Sequence, residues 1–313
     1  MMITNKEIIL LSLSKLNGVG NVALRSMLNA IGSGLDIDQL AALYPKVKKG
    51  LATSPNYQQI LDNDIHACKI NDVSIITAFS SSFPPAMYND SKGPLFIYIK
   101  GNRTLLQSSG LAIIGTRTPD VLAQEYAKRV STHFSLLDIP IVSGLAIGCD
   151  TVAHEATLNA GGRAIGVLGH GLHTIAPKQN VTLADRIIST GGLLISQFPM
   201  GTDPTRYTFV ERDRTQATLS KAILLVQSDI NGGSLHACRS AISAGKNLFV
   251  LPPTDSTKDD ANSIIYSGSD LVLEMLKCNA HDLNRVIEIK SKSDYGIIED
   301  IFLKGLSNNS HNE

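Results

Sequence analysis

Short apolar runs alternate with glycine-rich turns and longer, more polar stretches through the middle of the chain, from residue 111 to residue 253. The runs carry almost no charge, as in LAIIGT at 111–116, IPIVSG at 139–144, AIGVLG at 164–169, GLLIS at 192–196, AILLVQ at 222–227 and NLFVLP at 247–252. Uncharged runs of this length are typical of strands that are covered on both faces in a parallel sheet. The pattern therefore predicts a mostly parallel sheet.

The stretches between these runs are long enough for crossover helices, at 124–137, 151–160, 184–190 and 234–244. Strands alternating with such helices predict an α/β class, Rossmann-like doubly wound core. In these sheets, ligands bind beyond the carboxyl ends of the strands. The glycine-rich turns that leave the strands are therefore predicted to carry the function.

Residues 1–70 show helical periodicity and predict a small N-terminal helical domain. Its turn, LNGVGN at 16–21, resembles a helix-hairpin-helix (SAM-like) motif with Lys15 and Arg25 beside it. Two interpretations stay open, because the turn either holds a DNA phosphate with its backbone amides or belongs to two helices that merely pack.

The segment 71–110 leads into the core, and its apolar runs at 73–76 and 95–99 predict edge strands. The core, 71–276, is expected to finish near Leu276. The polar tail at 277–313 is too short for a winged-helix domain, so none is expected.

Composition narrows the functional classes. The 313 residues are 43% apolar and carry a formal net charge of zero, so any polyanion site must be a local patch. Four scattered cysteines without a CxxC pair are typical of reduced cytoplasmic thiols rather than of disulfides or a metal site. No signal peptide or membrane-spanning stretch is expected. The GxGxxG and P-loop patterns are both missing, so we expect no nucleotide cofactor.

The first two core turns combine glycine with anion-binding groups. Gly115 lets the backbone approach a ligand, and Arg117 follows it with the planar donors that suit phosphate. Ser143 and Gly144 offer a hydroxyl and an amide before the next helix. His154, in that helix, is more simply a buried histidine than a catalytic base, since no serine or cysteine nucleophile with an orienting carboxylate can be assigned around it.

The third turn, 169–180, is longer than a crossover connection needs, and long ordered loops on such sheets are usually functional. Gly169 and Gly171 open it, and Lys178 and Asn180 close it on the rim predicted for Arg117. His170 and His173 have no accompanying cysteine or carboxylate, so we interpret them as loop histidines rather than metal ligands.

The stretch 198–214 interleaves arginines with aromatic rings: Arg206, Tyr207, Phe209, Arg212 and Arg214. This mixture suits single-stranded nucleic acid, with arginines on phosphates and rings under bases. The alternative is an ion-paired helix start, because Glu211 and Asp213 can neutralise the arginines. A further turn, formed by Gly232, Gly233 and Ser234, again presents backbone amides to an anion.

Taken together, these turns resemble the DNA-processing protein A (DprA, or Smf) family over about residues 80 to 275. The motifs keep one order: GTR at 115–117, SGLAIGCDTVAH at 143–154, GGRAIGVLGHGL at 161–172, PKQN at 177–180, SQFPMGTDP at 196–204, FVERDR at 209–214 and GGSLHACRSAISAGKNLFVLP at 232–252.

The resemblance implies a cytoplasmic, usually dimeric protein that makes and breaks no bond. It implies binding and protection of single-stranded DNA and help in loading the recombinase RecA. The residues that match the family's basic pocket are Arg117 and Lys178. By the same match, the pocket is lined or shaped by Ser143, Gly144, Arg212, Arg214, Gly232, Gly233 and Ser234.

The chain departs from the family pattern where an RRNR-like run is replaced by Glu211, Arg212, Asp213 and Arg214, which lowers the local positive charge. A second hypothesis follows, because related cores serve as nucleotide sensors in bacterial conflict systems. LOG-type phosphoribohydrolases share such a core, but Arg239 stands where they carry a glutamate, so we expect no hydrolysis.

Overall fold

A single nine-stranded sheet organises the molecule, in the order β1-β2-β6-β5-β4-β3-β7-β8-β9. The computed structural model describes residues 3–254, 260–266 and 271–307. The strands are β1 Ser74–Thr77, β2 Phe96–Gly101, β3 Gly110–Ile114, β4 Ile141–Ser143, β5 Ala164–Leu168, β6 Leu193–Ser196, β7 Ser220–Leu225, β8 Asn247–Val250 and β9 Val286–Glu288. Seven of them, β3 to β9, pair in parallel.

Helices cover both faces of the sheet. The N-terminal helices are α1 Asn5–Ser14, α2 Asn21–Gly32, α3 Ile37–Leu43, α4 Pro45–Thr53 and α5 Tyr57–Ile70. The others are α6 Pro85–Asn89, α7 Val121–Leu136, α8 Cys149–Asn159, α9 Val181–Ser189, α10 Arg206–Leu219, α11 Ser234–Ser243, α12 Ala261–Tyr266, α13 Leu271–Leu276 and α14 Tyr295–Ser307. Within the described residues, none of these helices is long and apolar enough to cross a bilayer.

The central strands are buried on both faces, as their uncharged sequences predict. In β3, Leu111 and Ile113 belong to one hydrophobic cluster, whereas Ala112 and Ile114 belong to another. This alternation places successive side chains on opposite sides of the sheet, each under a layer of helices. The predicted α/β, Rossmann-like core is confirmed.

The strand order reverses between β3 and β7. From β3 the chain proceeds through β4, β5 and β6 to one side, and from β7 through β8 and β9 to the other. The loops that follow β3 and β7 therefore diverge and leave a crevice at the carboxyl ends of these two neighbouring strands. This topological switch point is where the fold can hold a ligand.

The leading segment forms both predicted strands, but only one of them is an edge strand. β1 lies at the edge and pairs antiparallel with β2, which in turn pairs antiparallel with β6. The prediction of two edge strands was wrong for β2. β2 lies between β1 and β6, and its side chains from Ile97 to Ile99 are buried in the hydrophobic clusters on the two faces of the sheet.

The core does not finish at Leu276, so the predicted boundary of an appended tail was wrong. β9 joins the sheet beside β8. Ile289, Ile298 and Phe302 are buried in the hydrophobic cluster that also contains Leu111. The segment was underestimated because β9 is only three residues long and its neighbours are charged.

Candidate functional site

A pocket of about 490 Å³ lies at the switch point between β3 and β7. We call it the switch-point pocket. It is lined by the turn after β3, by the turn after β7, and by residues of α10 and α11 that include Arg206, Phe209, Asp213 and His236. Of the turns that the sequence marked as functional, those after β3 and β7 thus converge on one cavity, whereas no residue of the third turn, 169–180, lines it.

The turn after β3 is fixed by its neighbours on both sides. The Thr116 amide donates to the Gln227 carbonyl at 2.8 Å, and the Cys149 amide donates to the Thr116 carbonyl at 3.1 Å. Gly148 precedes α8 with a φ of +84°, and a Cβ there would lie 2.5 Å from the Thr116 oxygen. The glycine is therefore needed for the close approach that positions Arg117.

The turn after β7 presents backbone to the cavity at the amino end of α11. Gly232, Gly233 and Ser234 all line the pocket. The Ser234 hydroxyl donates to the Ser228 hydroxyl at 2.7 Å, which anchors the helix start. The first N–H groups of a helix lack intrahelical acceptors and favour an anion, so this end of α11 suits a phosphate.

Two arginines on the pocket lining, Arg117 and Arg206, are exposed. Among the described residues, neither has a hydrogen-bonding or ion-pair partner. The Arg117 guanidinium lies 5.4 Å from the centre of the Phe209 ring, a cation–π contact that leaves its N–H groups open to solvent. Both arginines are placed to receive a phosphate from solvent.

Arg212 also lines the pocket, but its donors serve the protein itself. It is buried; Nη1 donates to the carbonyls of Gly144 at 2.6 Å and Val167 at 2.8 Å, and Nε donates to Asp213 at 3.0 Å. A Cβ at residue 144 would lie 2.5 Å from the Arg212 Cζ. Gly144 therefore admits this arginine rather than a ligand, and Arg212 ties α10 to the ends of β4 and β5.

Arg214 points away from the pocket. Its guanidinium forms a two-point ion pair with Asp90, with distances of 2.9 and 2.6 Å, and it does not line the cavity. Burial alone would raise the pKa of Asp90, but hydrogen bonds led by Arg214 lower it. For Arg212 and Arg214, therefore, the structure favours the ion-paired alternative over phosphate contact.

Most of the third-turn residues also act within the fold. The Asn180 amide donates to the Leu145 carbonyl and the Thr151 hydroxyl, both at 2.9 Å. Gly169 packs against Phe209, and the Gly171 amide donates to the Thr202 carbonyl at 2.9 Å.

Of the other predicted site residues, Ser143 is buried and donates to the Ile113 carbonyl at 2.7 Å. Lys178 and Tyr207 are exposed but lie outside the pocket lining. Gly115 lines the pocket, as predicted. The structure therefore brings Arg117 together with Arg206 rather than with Lys178.

Three aspartates line the pocket, Asp150, Asp213 and Asp229, of which the sequence suggested a role only for Asp213, as a partner of the arginines. Burial raises the pKa of Asp150, although Arg212 opposes the shift. Burial also raises the pKa of Asp213 to about 6, with Arg212 again opposing it. The pocket therefore balances three arginines with three aspartates, one of which titrates just below neutrality. That the three aspartates meet in one cavity is visible only in the structure.

The histidines singled out from the sequence lie inside the fold or on its loops. His154 is fully buried, and burial lowers its pKa to about 4, so it is neutral near pH 7. His170 accepts from the Ala176 amide at 3.2 Å, and His173 accepts from the Gly201 amide at 3.0 Å. Each loop histidine thus contacts backbone.

The two cations that flank the N-terminal turn in sequence, Lys15 and Arg25, both have partners within the fold. Lys15 forms an ion pair with Asp64 at 2.6 Å, and both side chains are buried. Arg25 donates to the carbonyls of Tyr88 at 2.6 Å and Gly93 at 3.0 Å. These contacts favour the interpretation of a packed helix pair over that of a phosphate site.

Comparison with known proteins identifies the family. The family model described as DNA recombination-mediator protein A matches residues 74–281, which includes every turn of the switch-point pocket. The chain belongs to this family. The match starts with β1 and ends before β9, so it covers most of the sheet.

Curated relatives agree with this assignment. The Protein Smf of Escherichia coli is 35% identical over 202 residues, covering 64% of this chain and 54% of that protein. DNA processing protein DprA of Streptococcus pneumoniae is 34% identical over 183 residues, covering 57% of this chain and 64% of that protein. The chain thus spans about half to two thirds of the length of these relatives.

Solved structures share the architecture. The structure of DNA processing protein A from Streptococcus pneumoniae matches with a TM-score of 0.69 and 25% identity, covering 94% of this chain and 97% of that one. The protein of that name from Helicobacter pylori matches with a TM-score of 0.59 and 24% identity, covering 73% and 96%. That structure is described as showing a unique single-stranded DNA binding mode of the Helicobacter pylori protein.

Proposed function

We propose that the protein is a recombination mediator that binds single-stranded DNA in the switch-point pocket. The observation that carries this proposal is the pair of exposed, uncommitted arginines, Arg117 and Arg206, on a cavity formed by amide-presenting turns. Phosphates would lie against the two guanidinium groups and the amino end of α11. Such contacts hold a strand without reading its sequence.

Aromatic rings beside the arginines support the same proposal. Phe209 lines the pocket, and Tyr207, which is 69% exposed, lies two residues before it on α10. Unpaired bases stack on exposed rings, whereas a duplex keeps its bases inside. The family assignment and the binding mode named for the Helicobacter pylori protein point in the same direction.

The finer parts of the role follow from the family. We propose that the protein acts in the cytoplasm as a homodimer, protects single-stranded DNA and helps to load RecA. We further propose that it catalyses no reaction. In support, Arg239 stands where related hydrolases carry a glutamate, and its Nε donates to the Met275 carbonyl at 2.9 Å.

A second candidate function is the sensing of a small nucleotide. The balance of three arginines and three aspartates, in a cavity of about 490 Å³, favours a compact ligand over a long polyanion. The two functions use the same arginines, so they are separated by the length of the ligand rather than by the site.

The test is an anisotropy titration of labelled oligothymidylate, with a competing titration of dAMP. The variant Arg117→Ala/Arg206→Ala should weaken oligonucleotide binding by about 100-fold, tenfold for each charge-assisted contact. Lys178→Ala should weaken the binding of long oligonucleotides only, because Lys178 lies outside the pocket lining but on the neighbouring loop. Competition by dAMP at micromolar concentration would favour the sensor.

The matched control is Arg163→Ala/Arg186→Ala, which removes the same charge from two exposed positions outside the pocket lining. It should bind like the unaltered protein. If the Arg117→Ala/Arg206→Ala variant binds oligothymidylate as tightly as the control variant, the switch-point pocket is not the DNA site.

A further inference from the structure

A second cavity lies between α7 and the segment 289–295 that leads into α14. Its volume is about 720 Å³, within the range of small-molecule sites. The far wall follows the carboxyl ends of β8 and β9, through Leu251, Pro252 and Ile289. We call it the α7–α14 groove. One wall of the groove is formed by residues 289–292, which follow β9, and by Tyr295 at the start of α14.

The groove gathers positive charge in a chain whose net charge is zero. Four cations line it, two from α7 and two from the loop after β9: Lys128, Arg129, Lys290 and Lys292. Glu125 is the one carboxylate among the described lining residues, and it is paired with Arg129 at 2.7 Å. The lining therefore keeps an excess of three positive charges.

Three acidic groups beside the groove already have partners, and the partners of Glu299 and Glu288, His133 and Lys290, line the groove. Asp294 accepts the amides of Lys290 at 2.8 Å and Ser291 at 2.9 Å, and this contact shapes the loop. Glu299 contacts His133 at 2.7 Å. Glu288 lies 3.5 Å from Lys290, whose side chain is 74% exposed, so solvent screens that pair.

The floor of the groove is apolar and partly aromatic. Tyr295 and Ile289 are buried beneath it, and Tyr126 is half-buried on the α7 side. A groove with cations along its rim and rings in its floor matches a ligand that carries a phosphate and a flat apolar ring. A simple inorganic anion would leave the floor without contacts.

We propose that the α7–α14 groove is a second ligand site, which binds the phosphate and base of a nucleotide unit. Lys128, Lys290 and Lys292 contact the phosphate, and Tyr126 packs against the base or sugar. The unit is either a free nucleotide or a segment of a DNA strand, because both present the same chemistry. This site is separate from the switch-point pocket and stands without it.

Amine footprinting tests the site directly. The Arg117→Ala/Arg206→Ala protein is acetylated with and without dAMP or oligothymidylate, and modification is measured by mass spectrometry. Lys128, Lys290 and Lys292 should be protected at least about threefold, while exposed Lys46 and Lys48 on α4 stay unchanged. Protection by dAMP identifies a free nucleotide as the ligand; protection by oligothymidylate alone identifies a strand.

A charge-reversal pair supplies the second measurement. Lys290→Glu/Lys292→Glu should weaken binding of the protecting ligand at least about tenfold, whereas Lys46→Glu/Lys48→Glu changes net charge equally and should have little effect. Both lysines are exposed, so the protein should fold. The second site would be overturned if neither ligand protected the groove lysines from acetylation. It would also be overturned if the groove variant and the α4 variant lost affinity equally. Neither result bears on the switch-point pocket.

Discussion

Two turns of the molecule look alike in sequence but differ in the state of their cations. The N-terminal turn around Gly18 and Gly20 is flanked by Lys15 and Arg25, and the switch-point pocket combines glycine turns with Arg117 and Arg206. In the first, Lys15 is buried against Asp64 and Arg25 is bound to two backbone carbonyls. In the second, both arginines remain open to solvent.

The difference shows that a basic residue beside a glycine turn is not yet an anion site. What decides its role is whether the folded chain itself supplies an acceptor. Lys15 meets its acceptor 49 residues away, and Arg214 meets Asp90 at a separation of 124 residues. Such partners cannot be identified from local sequence.

The largest expected effect concerns the stability that the buried ion pair of the N-terminal helices provides. Lys15→Met removes one partner of a buried ion pair, which should cost about 3 to 5 kcal/mol in the free energy of unfolding. Urea denaturation measures it, with exposed Lys48→Met as the control. The folded protein should keep its affinity for oligothymidylate. A loss of affinity at full stability would instead make the N-terminal turn a DNA site.

A smaller effect concerns the backbone that positions Arg117. Gly148→Ala forces a side chain onto a left-handed conformation, at a cost of about 1 to 2 kcal/mol, and presses its Cβ against the Thr116 carbonyl. We expect oligothymidylate affinity to fall about tenfold as the turn shifts. Gly191→Ala is the matched control, because Gly191 also has a positive φ, +81°, but lies outside the pocket lining and a Cβ there meets nothing within 4 Å. Equal affinities of the two variants would show that the turn does not position Arg117 for the ligand.

The smallest effect is a pH dependence of binding. Burial raises the pKa of Asp213 to about 6, so its carboxylate is charged at pH 7.5 and mostly neutral at pH 5. Losing this negative charge from the pocket should strengthen oligothymidylate binding about threefold to fivefold as the pH falls through 6. Because the pKa of Asp213 is higher in the folded than in the unfolded protein, its protonation stabilises the folded state. This contribution to the free energy of unfolding is fully present below about pH 4 and is lost as the pH rises through 6.

Two variants identify the titrating group. Asp213→Asn should flatten the pH dependence of binding between pH 5 and pH 7.5. His236 also lines the pocket, and burial, followed by nearby cations led by Arg239, lowers its pKa, so His236→Asn is the control for a second titrating group. If Asp213 carries the effect, His236→Asn should leave the pH dependence in place. If His236→Asn flattened the pH dependence and Asp213→Asn did not, His236 would be the titrating group.

The central sheet could be predicted from the sequence because buried parallel strands are uncharged and short. Each of the six predicted core strands is observed within a few residues. Helix α10 was predicted only as the alternative of an ion-paired helix start, because Arg206–Leu219 mixes charged, aromatic and small polar residues and carries no clear apolar stripe. Two of the arginines that suggested a nucleic-acid site there, Arg212 and Arg214, instead form contacts that hold the helix in place.

The pocket was predicted in outline but not in detail. Glycine turns at strand ends located Arg117 and the Gly232 to Ser234 segment, since topology brings such turns to one edge. The roles of Gly144, Asn180 and Arg212 depend on contacts between distant segments, for example the 2.6 Å bond from Arg212 to the Gly144 carbonyl. These residues carry the same sequence signature whether they bind a ligand or the protein.

The most direct test of the switch-point pocket is the salt dependence of oligothymidylate binding, compared between the unaltered protein and Arg117→Ala/Arg206→Ala. Each phosphate contact to a single strand adds about 0.7 to the slope of log affinity against log salt concentration. We predict that the double variant lowers the magnitude of this slope by about 1.4. An unchanged slope would contradict the claim that Arg117 and Arg206 hold the phosphates.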